Sequence, residues 1–184
     1  CDTTDVLEEC LRQGLSNIGV GPLCDPAAVA VAAASGLGAT LDLELGNVRP
    51  LGLGTDPRAR MRVRARVRAL TDGRFRITGP IYTGETWAMG RTAVLEAESF
   101  TAIVTERPME PLDLGVFTST GIDPGRFDYL ILKSRMYCRP SFAPISAGLV
   151  ECDSRGVTSS DYGLFRFERV RRPIYPLDPA AAYP

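Results

Sequence analysis

The spacing of apolar positions changes several times along the first half of the chain. In "CDTTDVLEECLRQG", Val6, Leu7, Cys10 and Leu11 recur on one helical face, acids stand in the first turn and Gly14 offers a stop. A short amphipathic helix is predicted, with Asp2 as its N-cap. "NIGVGPLCD" reads as an apolar strand, and Asp25 followed by Pro26 reads as the N-cap and first residue of an alanine-rich helix that ends near Gly36. "ATLDLEL" alternates Leu41, Leu43 and Leu45 with Asp42 and Glu44, the period of a half-buried strand.

After "GNVRPLGLGTDP" an arginine occupies every second position from Arg58 to Arg68. On a strand these arginines share one face, and Ala59, Met61, Val63, Ala65 and Val67 share the other, so one face is wet and the other packed. The turn "TDG" and the segment "RFRIT" are expected to close a hairpin with this strand. Asp42, Glu44, Glu96 and Glu98 stand on other strand candidates and are placed to face the arginines. A solvated, partly salt-bridged outer face follows, with a protein-partner surface as the alternative. No aromatic residues interleave with the arginines as stacking platforms for nucleic acid do.

The second half is richer in loops. "GPIYTGETWAMG" sets Tyr82 and Trp87 among glycines between two strand candidates, which suits either a lid or a packed loop. "RTAVLEAESFTAIVTERP" reads as a hairpin, and "PLDLGVFTSTGIDPGRF" as a short helix and a turn. In "DYLILKSRMYCRPSFAPISAG", Tyr129 to Leu132 form a buried-strand pattern, and Lys133, Ser134 and Arg135 stand at its end. Pro140 is placed to open a helix carrying Phe142, Ile145 and Leu149. Crevices at the carboxyl ends of strands hold anionic ligands in many α/β proteins, which directs attention to Lys133, Arg135 and Arg139. The plain alternative is a surface turn with ordinary cations.

Composition narrows the chemistry. The 184 residues are 45% apolar with a formal net charge of -1, which fits a single α+β domain built on a mixed sheet with antiparallel hairpins and a few short helices. Neither nucleic acid nor membrane is an expected partner. The longest apolar stretch, Pro26 to Thr40, is short for a bilayer span, and the start shows no secretory pattern, so a soluble cytoplasmic protein is expected. The chain has no His, which excludes Ser-His-Asp and Cys-His relays and any zinc site needing imidazole. Its five cysteines (Cys1, Cys10, Cys24, Cys138 and Cys152) include no C-x-x-C pair, so buried thiols in a reducing compartment are expected. Of 21 basic residues only Lys133 is a lysine.

Several long motifs in order, "LTDGRFRITGPIYTG", "GRTAVLE", "VTERPMEPLDLGVFTSTGIDP", "LKSRMYCRPSFAPI" and "RRPIYPLD", resemble the C-terminal domain of the microcystinase C family, the MlrC-type zinc metallopeptidases. The resemblance spans almost all of residues 1–184 as one such domain. It implies a larger N-terminal domain, absent from this sequence, where zinc on His and Asp ligands hydrolyses amide bonds of small or linear peptides. This chain would itself bind no cofactor and would be inactive alone, and that zinc domain would be its partner.

The resemblance further implies that a Gly-rich segment precedes "CDTTD", so Cys1 matches an internal position, and that Asp2, Thr3 and Thr4 follow the glycines. Where many members carry His, two residues after the Arg of the Lys-Ser-Arg motif, this chain has Tyr137. Tyr is a poor base at neutral pH. The resulting expectation is a substrate-side wall in which Lys133, Arg135 and Arg139 contact anionic groups and Tyr137 and Phe142 line the apolar part. Asp2, Thr3, Thr4 and Trp87 belong to an interface or loop. Two alternatives stay open: an N-terminal nucleophile amidase using Cys1 after autocleavage, and a non-catalytic module binding through its Arg-lined sheet.

Overall fold

A computed structural model describes residues 2–48, 59–134, 136–154, 159 and 161–182. Helix α1 (Asp5–Arg12) is followed by strand β1 (Ile18–Cys24), helix α2 (Pro26–Ser35) and strands β2 (Thr40–Leu45), β3 (Met61–Thr71) and β4 (Arg74–Arg76). Then come β5 (Thr86–Ala88), β6 (Thr92–Glu96), β7 (Phe100–Thr105), α3 (Gly115–Thr118), β8 (Tyr129–Leu132) and α4 (Arg139–Phe142). Six strands form one mixed sheet in the order β2-β3-β6-β7-β1-β8, and β4 and β5 form a separate two-stranded ribbon. Only the β1 pairings, with β7 and with β8, are parallel.

The sheet separates two apolar layers. On β7, Phe100, Ala102 and Val104 join a core with Leu7 of α1 and Val29 of α2, whereas Ile103 joins a second core with Phe75, Phe117 and Phe142. Strands covered on both faces lose their alternation, and β1 and β7 are buried at every position. A Cβ on Gly19 of β1 would lie 2.5 Å from the Phe127 ring, so glycine there lets the second layer approach the sheet.

In β3 the alternation persists because the second layer does not reach it. Val63, Ala65 and Val67 are buried and Arg62, Arg64, Arg66 and Arg68 are exposed. A register shift between Val67 and Ala69 then turns Ala69 towards the second core. Arg68 pairs with Glu96 at 2.7 Å, and Arg62 and Arg64 lie 3.9 Å from Glu44 and Asp42. The arginine face is therefore a cross-strand ion-pair ladder, as its spacing suggests; Arg58 lies outside the described residues.

The β2–β3 arm is fastened by Asp25. This side chain is 0% exposed and accepts from the Ala28 N–H at 3.0 Å, capping α2 as expected, and from the Gly46 N–H at 3.0 Å. It also takes a charged hydrogen bond from Arg60, whose Nε reaches the Gly46 carbonyl at 3.1 Å. In a flat sheet β1 and β2 would stand about 19 Å apart, and their antiparallel senses would put Gly46 and Asp25 at opposite edges. They meet because the arm coils back towards the start of α2, whose outer face stays exposed.

Four local expectations are corrected. The N-cap of α1 is Thr4, which bonds Glu8, and not Asp2. Strand β4 pairs with β5 rather than with β3, because Phe75 and Ile77 turn into the second core, so "GPIYTGETW" is the far half of a ribbon. The Pro140 helix ends at Phe142, followed by a single 3-10 turn (Ala143–Ile145), and Leu149 is exposed. Of the thiols, Cys24 and Cys138 are buried, but Cys10 is half-buried and Cys152 exposed.

Asp25→Ala is expected to lower unfolding free energy by about 3 kcal/mol, since it takes the carboxylate from a cation and two N–H groups beside the core. The double change Arg62→Gln with Arg64→Gln should cost less than about 1 kcal/mol, as exposed pairs contribute little. Urea unfolding compares the two; a similar loss from both would contradict this division.

Candidate functional site

Strands β7, β1 and β8 point their carboxyl ends the same way, and Gly21 stands opposite Leu132. Lys133 therefore leaves the sheet beside the last residues of β1. It is half-buried, and its Nζ donates to Thr3 Oγ1 at 2.7 Å, bridging residues 130 positions apart.

The N-terminal segment is held at this edge from its other side. The buried Asp2 accepts at its carbonyl from the Asn47 N–H at 2.6 Å, and Thr4 and Asn47 exchange two hydrogen bonds at 3.3 and 3.0 Å. Asn47 Nδ2 also donates to the Ala59 carbonyl at 2.9 Å. Gly46 and Asn47 both have positive φ, and a Cβ on Gly46 would lie 2.4 Å from Thr4 Cγ2. Only glycine fits that approach. The returning arm, the N-terminal segment and the end of β8 thus converge on one rim.

The turn after Lys133 is organised by its neighbour. Ser134 Oγ donates to Glu110 and accepts from the Cys138 N–H at 3.2 Å, which fixes the start of α4. Further along the segment after β7, the Asp113 carboxylate, 1% exposed, accepts from the N–H groups of Thr78, Gly79 and Gly115 at 3.0, 2.6 and 2.6 Å. This ties the β4–β5 ribbon to α3.

The expected site residues divide. Lys133 and Thr3 are brought together, with Asp2 and Thr4 beside them on Asn47. Tyr137 is exposed, and Arg139 is exposed and paired with Glu151. Phe142 is 2% exposed and packs edge-on against Phe117 at 6.0 Å, inside the second core. Trp87 lies on the ribbon, its ring 5.2 Å from Tyr82 and its N–H on Glu85. Arg135 and Cys1 lie outside the described residues.

Sequence reasoning missed Asn47, Glu110 and the wider role of Asp25. The Gly46-Asn47 pair after an alternating strand was the one available signal, since both residue types tolerate left-handed backbone. The partners of Asp25 and Glu110 are too distant in sequence for any local pattern to find.

Chemically, the rim holds the half-buried Lys133 ammonium on the Thr3 hydroxyl, a type of group that meets anions and developing oxyanions. Burial, with Cys152 and Glu9 adding to it, pushes the Cys10 thiol up from its ordinary value, which makes it a poor nucleophile. Among the described residues no group of three or more His, Cys, Asp or Glu side chains is placed to hold a metal. Nor is any helix there long and apolar enough to cross a membrane.

A family model described as "MlrC C-terminus" matches residues 1–169. The chain belongs to the MlrC C-terminus family. No match was found among curated proteins. A crystal structure described as "Putative metallopeptidase", from Mesorhizobium sp. BNC1, superposes with a TM-score of 0.84 at 26% identity. The alignment covers 96% of this MlrC C-terminus domain and 34% of that chain, so the domain spans about a third of its relative. The sequence has no His, and among the described residues no clustered Cys, Asp or Glu offers a zinc-ligand set.

After a chelator wash, the purified 184-residue chain is expected to hold no stoichiometric zinc and to hydrolyse no peptide. Metal analysis and a peptidase assay check this. One tightly held zinc per chain, with activity lost on its removal, would contradict it.

Proposed function

We propose that this MlrC C-terminus domain forms the substrate-side wall of a zinc-dependent, peptidase-like hydrolase that cleaves amide bonds of small or linear peptides. The metal ligands come from a separate part of the longer protein, the zinc-bearing N-terminal domain, which is this domain's partner. Lys133 contacts the substrate carboxylate or the oxyanion that develops at the scissile carbonyl. Arg135 and Arg139 add cationic character to the same wall, and Tyr137 borders it. Asp2, Thr3 and Thr4 fix the rim. The thiols of Cys10, Cys138 and Cys152, which form no disulfide, fit a reducing compartment, which favours the cytoplasm.

The observation that carries this reading is the hydrogen bond from Lys133 to Thr3 at the carboxyl edge of β1 and β8. A lysine whose stem is half-buried and whose head donates to Thr3 is held in a fixed place at this edge. A surface lysine would lose more conformational freedom on meeting a substrate anion. Ser134, Glu110 and the Cys138 N–H hold the following turn, so the ammonium is presented from a braced segment.

In the polypeptide that carries both parts, Lys133→Ala should lower kcat/KM about tenfold to a thousandfold while the unfolding midpoint stays unchanged. Thr3→Val removes the tether but keeps the charge and should cost much less. A penalty restricted to a substrate with a free carboxylate, relative to its amide, assigns Lys133 to recognition; an equal penalty on both assigns it to the reacting carbonyl. Full activity in Lys133→Ala, or equal losses in Lys133→Ala and Thr3→Val, would overturn the assignment.

A further inference from the structure

The main sheet ends differently at its two edges. Strand β2 forms one edge and sets Asp42 and Glu44 opposite arginines of β3, charged side chains of the kind that keep an edge from pairing with another chain. Strand β8 forms the other edge and reads Tyr-Leu-Ile-Leu, with neither charge nor proline. Tyr129 is 44% exposed, and Leu130 and Leu132 are half-buried.

Two hydrogen bonds fix which backbone groups of β8 face outward. The Ile18 N–H donates to the Ser99 carbonyl, on the β7 side of β1, and the Asp128 N–H donates to the Asn17 carbonyl, on the β1 side of β8. Backbone groups alternate between the two sides of a strand, residue by residue. The groups of Gly19, Leu130 and Leu132 therefore lie between β1 and β8, and the N–H and carbonyl groups of Tyr129 and Ile131 turn to the open side. Among the described residues no strand, loop or side chain bonds to these four groups. Such a row is a template for one more strand.

The open side leads to Lys133, the residue that follows β8. A peptide added parallel to β8 brings its carboxyl end to that lysine. One added antiparallel brings its amino end there instead, so charge selects the parallel sense.

We infer that the free edge of β8 takes the substrate as an added strand, an extended linear peptide running parallel to Tyr129–Leu132 with its C-terminal carboxylate on Lys133. Main-chain pairing of this kind supplies affinity that is largely indifferent to side chains. The substrate class is then short peptides with a free carboxyl terminus, rather than one sequence. The inference deepens the function proposed above and rests on it in taking the ligand of Lys133 to be a peptide carboxylate.

Acetyl-tetraalanine with a free carboxylate is a suitable probe, titrated by calorimetry into the longer polypeptide under chelator, so that nothing is cleaved. N-methylation at alternate peptide residues should weaken binding about tenfold and at the intervening residues less than about twofold, because only every second N–H faces β8. The Tyr129 and Ile131 amides should exchange with solvent about tenfold more slowly in the complex, with β6 and β7 unchanged. Lys133→Ala, or a C-terminal amide in place of the carboxylate, should cost about tenfold without disturbing the alternation. Equal losses from methylation at every position, with the Lys133→Ala loss retained, would overturn strand addition and leave the Lys133 assignment standing. Alternation without any loss in Lys133→Ala would overturn the proposal through that assignment instead. Absence of binding, or unchanged exchange of the two amides at saturating peptide, would overturn it as well. Protection of those amides that grows with protein concentration in the absence of peptide would assign the edge to a second copy and overturn it too.

Discussion

The fold depends on fastening the β2–β3 arm to the start of a helix, and the Asp25 carboxylate is where that joint is made. A wholly buried carboxylate is costly unless its oxygens are fully engaged. Here one oxygen takes the Ala28 N–H at the start of α2, and the other takes the Gly46 N–H and the Arg60 guanidinium from the arm. The same side chain therefore starts the helix and fastens the strands beside it. Leu45, Val63 and Ala65 are thereby pressed onto α1 and α2, and one apolar core is completed by a polar contact at its edge.

The clasp also decides what stands at the carboxyl edge of the parallel strands. With Gly46 held on Asp25, Asn47 is in place to receive Asp2 and Thr4, and Thr3 between them meets Lys133. Three segments separated by tens of residues thus share one rim without any of them contributing a long element to it. Asp113 plays a parallel part in the other layer, collecting N–H groups from the ribbon and from α3. The two buried aspartates are joints between layers.

Much of the scaffold was legible because its signals are local. The Asp25-Pro26 cap, the Leu41-Leu43-Leu45 alternation and the arginine ladder opposite Asp42, Glu44 and Glu96 each follow from period or capping chemistry; Tyr129–Leu132 is the expected strand, but at the sheet edge with only Ile131 buried. Failures came where tertiary context decides. Asp2 and Thr4 are both plausible caps, and Asn47 draws the segment so that Thr4 takes the role. "TDG" looks like a hairpin turn, but burial of Phe75 and Ile77 rotates β4 out of the main sheet. Of the candidate site, Lys133 was singled out by its place at a strand end and its singularity among basic residues, whereas Phe142 was recognisable only as an apolar residue near it. Its burial against Phe117 could not be read from spacing.

Under the proposed function, the rim around Lys133 faces the bond being cleaved. A crystal structure of the longer protein with an uncleavable peptide analogue bound tests it most directly. The account predicts an analogue carboxylate or carbonyl oxygen within about 2.7–3.2 Å of Lys133 Nζ, with Thr3 and Asn47 keeping their present contacts. An analogue held wholly by the metal-bearing part, with Lys133 still on Thr3 and remote from every ligand atom, would contradict it.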